Sequence, residues 1–203
     1  MDVKFLSEPF PHIIIENQFT DDELVFIWRE LKFLNTEKLN SPDVTGSAFD
    51  RDATGEKILL KNNKGLWLDH VYTDRKYSDI LRYNRKIFNA EFTENAADFH
   101  WVFRYLKYCN ADTTLLSYYE DGGHYKSHPD ICTISALTHL FKEPKHFTGG
   151  ELIFTDYDYN IGLINNRTVL FPSILYHEVS NVKMLDEEEF GGRFTISQFM
   201  KLG

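Results

Sequence analysis

His128 and Asp130, in the run Tyr125-Lys126-Ser127-His128-Pro129-Asp130, are two residues apart. Side chains at i and i+2 of a strand project from one face, so this imidazole and carboxylate can grip one metal ion. His177, in Tyr176-His177-Glu178-Val179, follows the strand-like run Thr168-Val169-Leu170-Phe171-Pro172 and can bring a third ligand from a later strand. Three such ligands on one face of an octahedron leave the opposite face open, which suits a non-haem Fe(II) centre. Arg193 opens a further β-like run, Arg193-Phe194-Thr195-Ile196-Ser197-Gln198-Phe199. Its planar guanidinium can bind a carboxylate through two parallel hydrogen bonds. Thr195 shares its face and can add a hydroxyl. Each feature is weak alone, since His-x-Asp tripeptides are common and an arginine at a strand start is usually solvated. Their joint occurrence points to a site.

The elements that must position these residues are legible in outline. Phe10-Pro11-His12-Ile13-Ile14-Ile15 reads as a strand. Thr20-Asp21-Asp22-Glu23 is a capping-box pattern that starts a helix. Leu24, Ile27, Trp28, Leu31 and Leu34 then form one apolar stripe. From Asn35 to Lys57 the sequence is polar and aperiodic, a long loop that is either a substrate-covering lid or a surface excursion. Ile58-Leu59-Leu60-Lys61 and Gly65-Leu66-Trp67-Leu68 flank Asn62-Asn63-Lys64, suggesting a hairpin or a strand with a tight turn. A second helix is expected over roughly Arg75 to Phe88. After Asn89, alternation predicts a strand through Phe99, Trp101, Phe103 and Tyr105, and further strands over Leu115 to Tyr119, Ile131 to Leu140, Leu152 to Phe154 and Thr168 to Phe171. Helices first and strands after predict an α+β chain whose core is a double-sheet barrel or jelly roll with N-terminal supporting helices.

Composition sets the partners. At 203 residues one domain spanning 1–203 is the better expectation. A net charge of −9 without a basic run argues against a nucleic-acid partner. Cys109 and Cys132 make neither a disulfide framework nor a Cys-x-x-Cys pair, which suggests a reducing, cytoplasmic setting. No apolar segment is long enough to suggest a membrane span.

Tyr125-x-x-His128-x-Asp130, Gly149-Gly150-Glu151-Leu152, Asn166-Arg167-x-Val169-Leu170-Phe171-Pro172-Ser173, His177-Glu178-Val179 and Arg193-x-Thr195 together resemble the Fe(II)/2-oxoglutarate-dependent dioxygenases. The resemblance is strongest to their prolyl 4-hydroxylase branch, and Pro9-Phe10-Pro11-His12 with its following helix adds to it. It implies a double-stranded β-helix, with His128, Asp130 and His177 holding Fe(II) and Arg193 pairing with the C5 carboxylate of 2-oxoglutarate. Tyr125 stands where the family often has a tyrosine that reaches the cosubstrate, and Tyr118 is in a similar position, equally readable as a core aromatic. Dioxygen would be the second cosubstrate and ascorbate a candidate accessory. The implied activity is hydroxylation of a protein or peptide, with prolyl 4-hydroxylation foremost. Hydroxylation of a free amino acid or other small molecule, and a silent 2-oxoglutarate-binding or interaction module, are the rivals. The connection from His177 to Arg193 is longer than in hypoxia-type enzymes, and collagen-type enzymes use lysine where this chain has Arg193. Where the related nucleic-acid demethylases carry a second arginine, this chain has Phe199.

Among the remaining residues, His124 reads as a loop residue, because Gly122-Gly123 and Pro129 argue against a helical pair with His128. His139 is a candidate for lining the pocket. Arg167 is assigned an ion-pair or surface role, Trp28, Trp67 and Trp101 a core role, and Asp186 to Glu189 a solvated loop. His146 has no partner that the sequence identifies.

Overall fold

The chain's many short strands solve their edge and burial needs by forming two facing antiparallel sheets, a jelly roll, with helices on one outer face. The computed structural model describes residues 2–34, 37–46 and 49–202. The larger sheet has seven strands, in the order Asp2–Leu6, His12–Glu16, Arg167–Pro172, Ile134–Leu140, Arg193–Lys201, Ala111–Tyr119 and Lys64–Trp67. The smaller has five, Tyr159–Asn160, Leu152–Phe154, His177–Val179, His124–His128 and Lys61–Asn62. In the smaller sheet His177 is directly opposite His128, so pairing of two distant strands brings the two imidazoles together.

The capping box forms as expected: Thr20 N–H donates to Glu23 Oε2 at 2.8 Å and Glu23 N–H to Thr20 Oγ1 at 3.3 Å. The helix Asp21–Leu34 buries Ile27, Leu31 and Leu34 against Leu116, Phe194 and Ile196 on the outer face of the larger sheet. A second apolar layer, Ile87, Phe92, Ala96, Phe103 and Leu106, covers Ile13, Ile15, Ala136 and Leu170 beside it. Helices therefore hold the larger sheet from behind, leaving its inner face to the space between the sheets.

The helical region departs from expectation. The predicted helix over Arg75 to Phe88 is three short pieces, Arg75–Tyr77, Asp79–Tyr83 and Asn84–Phe88. Ser78 breaks it by capping the second piece, its Oγ accepting from Leu81 N–H at 3.0 Å while donating to the buried Glu30 at 2.7 Å. The predicted strand from Phe99 to Tyr105 is instead the end of the helix Ala90–Phe99 followed by the 3-10 turn Trp101–Lys107. Phe103 and Leu106, three apart, supply its buried side. Trp101, expected in the core, is 61% exposed.

The segment from Lys61 to Trp67 is not a hairpin. Lys61–Asn62 pairs with the His124 strand in one sheet, and Lys64–Trp67 pairs with the Ala111–Tyr119 strand in the other. Asn63 is the corner between them. Within the long polar stretch, Phe49–Arg51 and Lys57–Leu59 form a small hairpin and Asn40 bridges to Gly65. Asn35, Thr36, Ser47 and Ala48, also part of the expected lid, lie outside the described residues.

Candidate active site

His128 ends its strand, and Asp130 lies beyond it in the following turn rather than on the strand itself. Backbone and side chain both fix that turn. Asp130 N–H donates to Ser173 O at 2.9 Å, and Ser135 Oγ donates to Asp130 Oδ2 at 2.5 Å. Ser173 Oγ, 2.9 Å from Ser135 Oγ and 2.8 Å from Cys132 Sγ, extends this support. Asp130 thereby reaches both histidines, with Oδ1 3.7 Å from His128 Nε2 and Oδ2 3.6 Å from His177 Nε2.

One ligand atom from each of His128, Asp130 and His177 falls within 4.8 Å of the others, so the three could hold a metal ion. His128 Nδ1 is 2.8 Å from Lys126 O and His177 Nδ1 is 2.9 Å from Leu175 O. A carbonyl can only accept, so each Nδ1 carries the proton and each Nε2 presents its lone pair toward Asp130. Burial, with His177 and Lys61 nearby, holds His128 down to about 3, keeping it neutral and ready to ligate. Tyr125 stacks on the His128 ring at 3.5 Å between centroids, and Phe171 meets the His177 ring edge-on at 4.9 Å. These contacts fix the ring planes.

The second half of the site is on the larger sheet. Arg193 is fully buried at the start of its strand, and burial lowers its guanidinium from the usual value. Its Nη2 lies 2.9 Å from His139 Nδ1, while Nε and Nη1 have no hydrogen-bond partner among the described residues. Arginine only donates, so His139 Nδ1 accepts and its proton must be on Nε2. That Nε2 is buried and unpartnered too, as is Thr195 Oγ1. Burial and the cations Arg193 and Arg167 keep His139 well below the usual imidazole range. Four buried polar atoms have no hydrogen-bond partner among the described residues, two of them on an arginine that forms no ion pair there, and together they could receive an anionic ligand. A dicarboxylate such as 2-oxoglutarate fits that donor set, and the two-histidine, one-carboxylate group fits Fe(II).

Backbone space at this end is tight. Gly150 has φ +74°, and a Cβ there would lie 3.1 Å from Arg193 Cδ, so the Gly149-Gly150 turn passes close over the arginine.

Tyr118 is not brought to the site. Its ring packs on Phe194 at 4.5 Å in the helix-facing core, and its hydroxyl accepts from Gly192 N–H at 3.1 Å. Tyr119 takes the inward position because it is opposite Arg193 in register, and the Arg193 guanidinium lies 5.0 Å from its ring centroid. Burial pushes the Tyr119 phenol up, and Arg193 and Asn63 pull it partway back. The signal available in the sequence was parity: residues opposite one another share a face, but the register was needed to choose between adjacent tyrosines. Ser135 was also missed, as a serine mid-strand carries no sequence signal. Arg167 forms the expected ion pair, through Nε and Nη2 to Glu16 at 2.9 and 2.7 Å. His146 does have a partner, Asp186, at 2.8 Å.

A cleft of about 570 Å³ opens beside the histidine-aspartate group. Trp67, Leu115, Tyr125, Ile131 and Phe199 give it apolar walls, and Gly46 and Phe49 from the long polar stretch form part of its rim.

Residues 114–201 match the model of the 2OG-Fe(II) oxygenase superfamily. No curated protein matches the chain. Among solved structures, a Pseudomonas putida prolyl-4-hydroxylase superposes with a TM-score of 0.59 at 14% identity, covering 95% of this chain and 92% of that one. The viral collagen prolyl hydroxylase from Paramecium Bursaria Chlorella virus-1, solved as a 2OG complex, gives a TM-score of 0.51 at 14% identity, covering 93% and 94%. The non-heme alpha ketoglutarate dependent epimerase SnoN from nogalamycin biosynthesis gives 0.52 at 10% identity, covering 94% and 76%. Enzymes of different outcome share this scaffold, so the likeness is one of fold. Over residues 114–201 the sequence resembles the 2OG-Fe(II) oxygenase superfamily, and over nearly its whole length the chain shares the fold of these solved structures.

Proposed function

We propose that the chain is an Fe(II)- and 2-oxoglutarate-dependent oxygenase that hydroxylates a protein or peptide, with prolyl 4-hydroxylation the leading chemistry. One observation carries the reading: a buried arginine with no carboxylate partner among the described residues shares the space between the sheets with a histidine-aspartate-histidine group. In this reading His128, Asp130 and His177 hold the iron. Bound there, Fe(II) and 2-oxoglutarate supply the oxidising chemistry, with dioxygen consumed, succinate and carbon dioxide released and one oxygen atom entering a substrate C–H bond.

The protein's own residues bind and orient. Arg193 and Thr195 take the C5 carboxylate of the cosubstrate, and the Nε2–H of His139 is the remaining donor at that end. Tyr119 takes the part assigned from sequence to Tyr118, while Tyr125 braces His128. Lys126 and Leu175 carbonyls hold the ligating tautomers. Phe154 and Phe171 pack around His177 and keep water from its side of the group. One Asp against Fe(II) and one Arg against a doubly charged cosubstrate leave the loaded site formally neutral, which lowers the cost of burying it.

The prolyl reading draws support from the two hydroxylase neighbours and from the apolar cleft, whose mouth at the highly exposed Ile131 would admit a ring carried on a chain. A free amino acid or other small molecule is the second reading, favoured by a cleft volume of about 570 Å³, typical of small-ligand pockets. The proposal treats residues 1–203 as one domain working in a reducing cytoplasm, with ascorbate as an accessory reductant. Anaerobic addition of Fe(II) and 2-oxoglutarate should produce a visible charge-transfer band that His128→Ala abolishes. A missing band, or one that persists in the variant, sinks the site. Mass spectrometry of proline-containing peptides should show a 2-oxoglutarate-dependent gain of one oxygen. Failure across peptides while succinate still forms would favour the small-molecule reading.

A further inference from the structure

Lys61 is 4% exposed, on the two-residue strand opposite Tyr125 in register. Among the described residues its ammonium donates one hydrogen bond, to Thr45 Oγ1 at 2.8 Å, and forms no ion pair. It lies 5.5 Å from the centroid of the Tyr125 ring, which also stacks on His128. An ammonium has three donors, and burying its charge against one hydroxyl and a ring face costs more than those contacts return. Burial alone pulls it down to about 8. Elsewhere in the chain, buried or half-buried cations find acids: Arg167 has Glu16, Lys86 has Glu23, and Arg75 has Asp69 and Asp112. Among the described residues, Lys61 and Arg193 do not. Arg193 faces the cosubstrate end, whereas Lys61 lines the cleft on the other side of Tyr125.

The cleft's charge agrees. On a chain of net charge −9, the lining residues include two cations, Lys61 and Lys201, and one acid, Asp130, which the proposed function commits to the metal. Around Lys61 the walls are Trp67, Leu115, Tyr125 and Phe199, so an anion reaching the ammonium would have an apolar body alongside.

We propose that Lys61 is the substrate-specificity residue of this cleft and that the primary substrate carries a carboxylate, next to the apolar part that is oxidised, which pairs with the Lys61 ammonium. The proposal rests on the oxygenase reading above. That carboxylate can belong to an acidic residue beside the target in a peptide or to a free amino or organic acid, and both present the same group to Lys61.

The test compares carboxylates with their amides at constant Fe(II) and 2-oxoglutarate, reading substrate-stimulated succinate formation. One arm uses peptides in which proline adjoins Asp or Glu, against Asn or Gln counterparts. The other uses L-proline and related small acids against their amides. The arm that responds identifies the source of the carboxylate. The acids should stimulate at least tenfold more than the amides, Lys61→Met should erase that preference, and Lys61→Arg should restore part of it. The anaerobic charge-transfer band should form in Lys61→Met at the same 2-oxoglutarate concentration as in the parent. A panel in which no acid outperforms its amide overturns the proposal, as does a preference that survives Lys61→Met. Weaker 2-oxoglutarate binding in Lys61→Met overturns it too, by moving Lys61 to the cosubstrate. Absence of the band in the parent protein is a separate failure, that of the oxygenase reading itself.

Discussion

The two ends of the site are built on opposite principles. At the histidine-aspartate end the polar atoms not facing the proposed metal are partnered: both Nδ1 atoms meet carbonyls, and Asp130 meets Ser135 and Ser173. At the arginine end Arg193 Nε and Nη1, Thr195 Oγ1 and His139 Nε2 are buried with no hydrogen-bond partner among the described residues. The first end is preorganised by the protein, so its geometry precedes any ligand. The second is incomplete, and its desolvation cost is offset only when an acceptor arrives. A metal centre must refuse wrong geometries, whereas a cosubstrate pocket gains affinity from donors held dry in advance.

The sharpest way to break the contrast is Asp130→Ala, which should abolish both the charge-transfer band and succinate formation while leaving the fold intact by circular dichroism. Next, Arg193→Met should weaken 2-oxoglutarate about ten- to hundredfold, following the roughly 1.5–3 kcal/mol of a hydrogen bond to a charged group. Measured without cosubstrate, the same variant should melt no lower than the parent, because it removes an uncompensated buried charge. A large drop in Tm would show that Arg193 is already satisfied. Ser135→Ala, which touches only the preorganised end, should cost about tenfold in Fe(II) affinity by metal titration and leave 2-oxoglutarate affinity nearly unchanged.

Protonation offers a fourth test. His128 is held at about 3 when folded and returns to the ordinary imidazole range when unfolded, so between these values the unfolded chain binds the extra proton. Stability of the metal-free protein should therefore fall as pH drops below about 6.5. His128→Gln should flatten that decline in urea midpoints taken at pH 7 and pH 5. The smallest effect separates the adjacent tyrosines. Tyr119→Phe should weaken 2-oxoglutarate by a few-fold, whereas Tyr118→Phe should cost about 1 kcal/mol of stability and leave affinity alone.

The grouping of His128, Asp130 and His177 could be anticipated, because the three stand in an ordered set of motifs and the structure brings them together. Arg193 and Thr195 were legible through strand alternation, and both are inward and buried. What stayed hidden depends on pairing across distance. Tyr119 rather than Tyr118 faces Arg193 only because of the register between two strands far apart in sequence. The stretch from Phe99 to Tyr105 misled because aromatics alternate there without alternating burial: Trp101 and Tyr105 are exposed, and the buried side of the turn is Phe103 with Leu106. Lys61 carried no signal, since a lysine in an apolar run reads as a solvated side chain until its burial is seen.

The corner at Asn63 has a consequence for how an extended chain could be received. By passing from one sheet to the other, the segment from Lys61 to Trp67 supplies the outermost strand of both on this side, two residues in one case and four in the other. Edges this short offer little template for adding a further strand, and they bear lysines at Lys61 and Lys64. A polypeptide arriving here cannot be gripped along its backbone by sheet extension over any length. If the substrate is a peptide, as proposed, its recognition would then fall to side chains, and so to the sequence around the target.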